Sequence, residues 1–240
     1  MSGIFEKVTQ YRQLGEVLSL TLYHHLFAAT SRLIDDGNGV MAQHVGSLLG
    51  RRIIEHLGFD FRIEGMEHTN GLTNYCVVSS HASYLDWAIL LGYLPDPVRF
   101  IAKKELSAMP AIGDYLRHRG VLIDRKRGID AKAAIGAAVA DGQPWPILIF
   151  PEGTRTPDGS LRPFKRGGLR ILAAAGKALL PVYIYGTFHA MPRQTNLIKA
   201  GGKLALMIGA PVMPDAERGV EWALDEVERR MRELYDRANS

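Results

Sequence analysis

The 240-residue chain has one cysteine, Cys76, so no intramolecular disulfide can form and the fold does not depend on an oxidising compartment. A cytoplasmic protein is the simpler reading. No uninterrupted apolar stretch approaches the roughly 18 to 20 residues of a spanning helix, and the N-terminus lacks a basic stretch leading into an apolar block and cleavage site. Neither a membrane span nor a signal peptide is expected. Internal repeats, low-complexity tracts and long linkers are absent, and no His, Cys or carboxylate spacing fits a metal site. There is no GxSxG elbow, and Cys76 lies inside an apolar run, so covalent catalysis has no obvious nucleophile.

What is present is a globular balance, 47% hydrophobic and 22% charged, too apolar for a disordered chain. The net charge of +4 is unevenly spread. Between residues 99 and 170 fourteen Lys or Arg face seven Asp or Glu, which leaves −3 for the rest. Such a basic middle suits an anionic partner: nucleic acid, a phosphate-bearing molecule or an acidic membrane surface. Aromatics interleaved with these cations are too few for a base-stacking platform, so nucleic acid is not expected.

Residues 1–57 read as a helical pair broken at Asp35-Asp36-Gly37-Asn38-Gly39, the second helix running from about Val40 to His56. From Gly58 the period changes. Phe59, Phe61 and Ile63 alternate with polar residues, and short apolar runs follow at 75–78, 98–102, 121–123, 146–150, 181–185 and 204–208, with helical stretches such as 130–140 and 168–179 between them. The pattern predicts an α/β domain over 58–240, with a mostly parallel central sheet flanked by helices on both faces and preceded by the helical pair. Val220, Leu224, Val227, Met231 and Leu234 form the buried stripe of a closing amphipathic helix.

"HASYLD" at 81–86 falls where a strand ends and a helix begins, which is where α/β folds place ligands. A carboxylate at residue 86 could fix the imidazole tautomer of His81 and stabilise the imidazolium formed when it takes a proton. The pair also fits a histidine that caps the helix, with Asp86 in its first turn. "FPEGTR" at 150–155 follows a second apolar run. There Gly153 permits a tight turn whose N–H groups can meet an anion, and Arg155 can bind phosphate bidentately. "FKRGG" at 164–168 either adds charge near the same pocket or starts a helix.

Four ordered blocks, His81 to Asp86, "RFIAKKEL" with Pro110, Gly113 and "GVLIDRKRG", "FPEGTR", and "LPVYI" from Leu180, resemble the PlsC-type glycerolipid acyltransferases, also called the lysophospholipid acyltransferase family. The similarity covers roughly residues 60–210. Ser80 stands where many members have asparagine, and the N-terminal helices lack the long apolar span of some members. The resemblance implies transfer of a fatty acyl group from a thioester, on coenzyme A or acyl carrier protein, to a glycerol-phosphate lipid, with no further cofactor and no metal. His81 would be the general base held by Asp86. Arg155, Arg125 and Lys103 would meet the acceptor phosphate, Glu152 would hold the acceptor's head or position Arg155, and Gly153 and Thr154 would complete the substrate-binding turn. A membrane surface is an expected partner, met by the apolar side chains of the N-terminal helices unless these simply cover the sheet. The acceptor reads as 1-acylglycerol-3-phosphate, with another lyso-lipid such as lyso-ornithine lipid, or a non-catalytic basic surface-binding protein, as alternatives.

Overall fold

The computed structural model describes residues 2–31, 40–109, 112–124, 128–195 and 197–240. Two helices open the chain, α1 (Ser2–Ser31) and α2 (Val40–His56); the break between them expected at 35–39 lies outside the described residues. Strands and helices then alternate: β1 (Asp60–Glu64), β2 (Tyr75–Ser79), α3 (Asp86–Tyr93), β3 (Arg99–Lys103), α4 (Ile112–Arg119), β4 (Val121–Ile123), α5 (Gly128–Ala140), β5 (Ile147–Ile149), α6 (Arg166–Ala174), β6 (Ala178–Tyr185), α7 (Thr187–Ala190), β7 (Lys203–Ile208) and α8 (Gly219–Asn239).

The seven strands form one sheet in the order β1-β7-β6-β2-β5-β3-β4, parallel at every pair except β6 with β7. Helices cover both faces. On β2, Tyr75 and Val77 point into a core shared with Ile53 and Ile54 of α2 and Ile89 and Leu90 of α3. Cys76 and Val78 point the other way, against Leu169 and Leu172 of α6 and Val227 and Met231 of α8. A strand buried on both faces must be apolar at every position, which is why β2 reads as a run rather than an alternation. β1 sits at the sheet edge, and its Ile63 is 38% exposed. α8 buries Leu224, Val227, Met231 and Leu234 along one stripe, each burial worth about 2 kcal/mol.

One helix is shorter than its sequence predicts. The expected helix over 168–179 stops at Ala174, and residues 178–180 belong to β6. Gly176 adopts φ +71°, donating its N–H to Ala173 at 3.0 Å while Lys177 donates to Leu172 at 3.2 Å. This left-handed cap terminates the helix and releases the following apolar residues to the sheet.

α1 packs against α2, where His56 Nε2 lies 3.1 Å from Glu16 Oε2. Val8, Tyr11, Leu18 and Leu22 of α1 are each more than half exposed. Among the described residues no helix is long and apolar enough to cross a membrane.

Candidate active site

Strands β2, β5 and β6 run parallel, so their C-terminal ends share one edge of the sheet. The turn between β2 and α3 carries His81 there, and Asp86 opens α3. His81 Nδ1 lies 2.8 Å from Asp86 Oδ2. The same oxygen accepts the N–H of Ala82 at 2.8 Å and of Ser83 at 2.9 Å, and Oδ1 accepts the hydroxyl of Thr187 at 2.6 Å. Asp86 is fully buried with four donors around it. An acceptor-only carboxylate at Nδ1 places the proton on that nitrogen and leaves the Nε2 lone pair free. The imidazole stacks on Phe150, centroids 4.0 Å apart and planes 17° from parallel. Asp86 thus organises the turn and the imidazole together, and the ring caps no helix.

The turn after β5 meets this one from the side. Gly153, at φ +74°, donates its N–H to Phe150 at 3.0 Å and closes the turn; a β-carbon there would stand 2.9 Å from Lys165 Nζ. Lys165 of the 164–168 segment therefore lies over the turn, and α6 also begins there, at Arg166. Glu152 is buried. One of its oxygens accepts the His81 N–H at 2.8 Å and the other the Arg162 N–H at 3.3 Å, while Thr156 donates its N–H to the His81 carbonyl at 2.9 Å. Glu152 therefore clamps the histidine's own backbone, and both its oxygens are occupied by main chain rather than by Arg155. Desolvation pushes its carboxyl up to about 7, and the two backbone donors only partly offset this.

Arg155 lies with its guanidinium 3.7 Å above the Tyr84 ring. Its Nη1 is buried without a hydrogen-bond partner. Desolvation pulls the group below its ordinary value, but a guanidinium remains charged. A charged group with a buried, unpaired donor, stacked on Tyr84 of the histidine turn, can receive an anion. Thr154 is partly exposed on the same turn. Lys103, at the end of β3, pairs with Glu105 at 3.2 Å; neither it nor Arg155 lines the two cavities next to His81, but Arg155 stacks on Tyr84, which does. Arg125 and Pro110 lie outside the described residues.

His81 forms part of the wall of two cavities. One is of mixed polarity and holds about 30 Å³, bounded by Ser80, Glu152, Thr156, Tyr183 and Phe188, enough for a water or two. The other is apolar, about 480 Å³, within the range of small-molecule sites, and its walls include Leu14 and Val17 of α1, Trp87, Phe100, Phe150 and Ile198. α1 therefore does more than cover the sheet: Leu14, Val17, Leu18 and Thr21 line this cavity, while Val8, Tyr11 and Leu22 of the same helix are exposed. Neither Cys76 nor Ser83 competes with the histidine as a nucleophile. Burial pushes the Cys76 thiol up to about 12, and the buried Ser83 hydroxyl is used in donating to Met191 O at 2.9 Å and accepting from Leu85 N at 3.1 Å. Among the described residues no three His, Cys, Asp or Glu converge as a metal site.

Sequence reasoning missed Tyr84, Phe150 and Thr187 as parts of this arrangement. Tyr84 and Phe150 lie inside quoted motifs, and an aromatic beside a candidate cation was the available signal. Thr187 carried none, being 101 residues from Asp86.

The family model described as Acyltransferase matches residues 60–185. The chain is 33% identical over 155 residues to a chloroplastic 1-acyl-sn-glycerol-3-phosphate acyltransferase of Brassica napus, covering 62% of this chain and 44% of that one. It is 27% identical over 194 residues to the 1-acyl-sn-glycerol-3-phosphate acyltransferase of Limnanthes douglasii, covering 80% and 66%. The alpha form from Homo sapiens is 34% identical over 146 residues, covering 60% and 49%. The chain thus spans between under half and about two thirds of these relatives. Among solved structures, that of the 1-acyl-sn-glycerophosphate (LPA) acyltransferase PlsC from Thermotoga maritima superposes with a TM-score of 0.79 at 27% identity, over 98% of both chains.

Proposed function

Because the chain belongs to the acyltransferase family, we propose that it moves a fatty acyl group from a thioester, on coenzyme A or acyl carrier protein, to the free hydroxyl of 1-acylglycerol-3-phosphate, giving phosphatidic acid. The observation that carries this reading is His81 in the wall of an apolar cavity of about 480 Å³, on a turn whose Tyr84 carries the Arg155 guanidinium stacked upon it, one nitrogen of which is unpaired. The cavity suits an acyl chain, and Arg155 suits the acceptor phosphate. The relatives' names supply the acceptor class.

His81 Nε2 takes the hydroxyl proton as the alcohol oxygen bonds to the thioester carbonyl carbon. The tetrahedral intermediate then collapses, the carbon–sulfur bond breaks, and the imidazolium returns its proton to the departing thiolate. Atoms balance without a covalent enzyme intermediate. Asp86 holds the ring in the working tautomer throughout. Val8, Tyr11 and Leu22 on the exposed side of α1 suit a membrane surface, where the acceptor resides.

The test is thiol release by purified protein supplied with acyl-CoA or acyl-ACP and a panel of lyso-lipids. Lysophosphatidic acid should be the best acceptor, and His81→Ala should lower kcat by about 10³-fold or more. A variant that retains full activity removes His81 as base.

A further inference from the structure

The two oxygens of the Asp86 carboxylate are unequally engaged. Oδ2 receives the imidazole Nδ1–H and the N–H groups of Ala82 and Ser83, while Oδ1 receives one bond, from Thr187 Oγ1 at 2.6 Å. Asp86 and Thr187 are both fully buried, so bulk water does not supply that bond. Thr187 begins α7, directly after β6. Two further bonds tie the same connection to the histidine turn: Ile184 donates its N–H to Ser80 Oγ at 3.0 Å, and Ser83 Oγ donates to Met191 O at 2.9 Å. The segment from 184 to 191 therefore acts as a template on which residues 80–86 are laid, and Thr187 is the point where it touches the carboxylate.

The terminal torsion of an aspartate is broad. Donors on one oxygen resist rotation about the Cβ–Cγ bond only through that oxygen, and any small rotation left to the carboxylate carries the bonded imidazole with it. A donor on the second oxygen removes that freedom. Because an aim error of about 1 Å in a reacting group can cost about 10²-fold in rate, this matters for a base bonded to the carboxylate.

We propose that Thr187 is a positioning residue: its hydroxyl fixes the plane of the Asp86 carboxylate and, through it, the direction in which His81 Nε2 points. The kinetic part of this proposal rests on the acyl-transfer reading above; the geometric part does not.

The experiment compares Thr187→Val, which keeps the shape and loses the donor, with Thr187→Ser, which keeps the donor, and with Thr187→Ala. Thr187→Val should lower kcat about tenfold or more while KM for donor and acceptor stays within about twofold, and Thr187→Ser should restore kcat. The hydrogen-bonded Nδ1–H proton of His81, followed by NMR, should shift or broaden in Thr187→Val and keep its wild-type position in Thr187→Ser. A folded Thr187→Val with wild-type kcat and an unmoved resonance overturns the proposal. If the valine variant does not fold, the Ala and Ser variants decide: an intact serine beside an impaired alanine supports the role, and equal impairment overturns it. The resonance needs no substrate. A wild-type protein inactive on every acceptor therefore refutes the acyl-transfer reading and leaves the NMR comparison to judge Thr187.

Discussion

The face where α6 meets α8 and the turn at 152–155 both carry arginine and glutamate, and they treat them in opposite ways. Across the two helices Arg170 pairs with Glu221 at 2.6 Å and Arg166 with Asp225 at 2.6 Å, and on another side of α8 Arg229 pairs with Glu226 at 2.7 Å. Hydrogen bonds to carboxylates raise all three guanidinium values, and bonds from the arginines lower Glu221 and bring Glu226 down to about 2. At the turn, Glu152 and Arg155 stand three residues apart, and Arg155 has no ion pair among the described residues. Burial dominates both, pushing the acid up and the base down. Opposite charges neutralise each other where only solubility and packing are at stake. Under the proposed acyl-transfer reading, they are kept apart where an outside charge is to be received.

Removing Arg155 should break that contrast most visibly. Arg155→Ala should cut kcat/KM for lysophosphatidic acid by about 10²-fold, mostly through KM, because charge-assisted bonds to the phosphate are lost. Thermal unfolding should show the midpoint unchanged or raised, since the substitution removes a buried donor that the free protein leaves unsatisfied. A monoacylglycerol acceptor, which has no phosphate, should respond little to the same change. Arg155→Lys should fall between, because an ammonium neither stacks on Tyr84 nor binds two oxygens side by side. A fall in stability matching the fall in activity would place Arg155 with the structural arginines of the helical face.

Glu152 sharpens the comparison through pH. Its folded value of about 7 lies above the ordinary 4.5, so the folded state holds the proton more tightly than the unfolded chain. The stability this confers is complete below about pH 4.5 and is lost as pH rises through about 7, a change of roughly 3 kcal/mol for a shift of this size. Glu152→Gln is always neutral. Urea titrations should therefore show wild type losing stability relative to Glu152→Gln between pH 4.5 and 8. A pH-independent difference would mean that the carboxylate ionises as freely in the folded protein as in the unfolded chain.

How much of this was legible in the sequence depended on the distance over which each contact acts. The strands were readable because burial on both faces leaves an unbroken apolar run, as in residues 75–78. The end of α6 was not: "ILAAAGKALL" is apolar on either side of Gly176, and neither period separates helix from strand there. His81 and Asp86 could be brought together in thought because five residues of turn leading into a helix admit one simple closure. Glu152 was expected to face the acceptor or Arg155. Its partners are instead backbone N–H groups, which leave no mark in composition. Thr187 reaches Asp86 only because β6 lies beside β2, a pairing that no local pattern specifies. The apolar residues of α1 fitted core or membrane equally well. Only the packing divides them, with Leu14 and Val17 in the cavity wall and Val8 and Tyr11 outside.

The smallest expected effect tests the other side of the comparison. Arg170 and Glu221 are both more than half exposed, so the 2.6 Å contact between them is formed largely in water and screened by it. Arg170→Gln should shift the unfolding midpoint by about 2 °C or less at low ionic strength. The shift should vanish near 1 M salt, where the screening length is about 3 Å. Turnover and both KM values should stay at wild type, because no bond links Arg170 to the histidine turn. Arg155, with its buried and unpaired nitrogen, and the exposed and paired Arg170 thus predict mirror-image phenotypes, one lost in function with stability intact, the other slightly lost in stability with function intact. A salt-insensitive destabilisation in Arg170→Gln would show that the α6–α8 face relies on its ion pairs more than exposed charges ordinarily allow, and that pairing alone does not separate structural from functional arginines here.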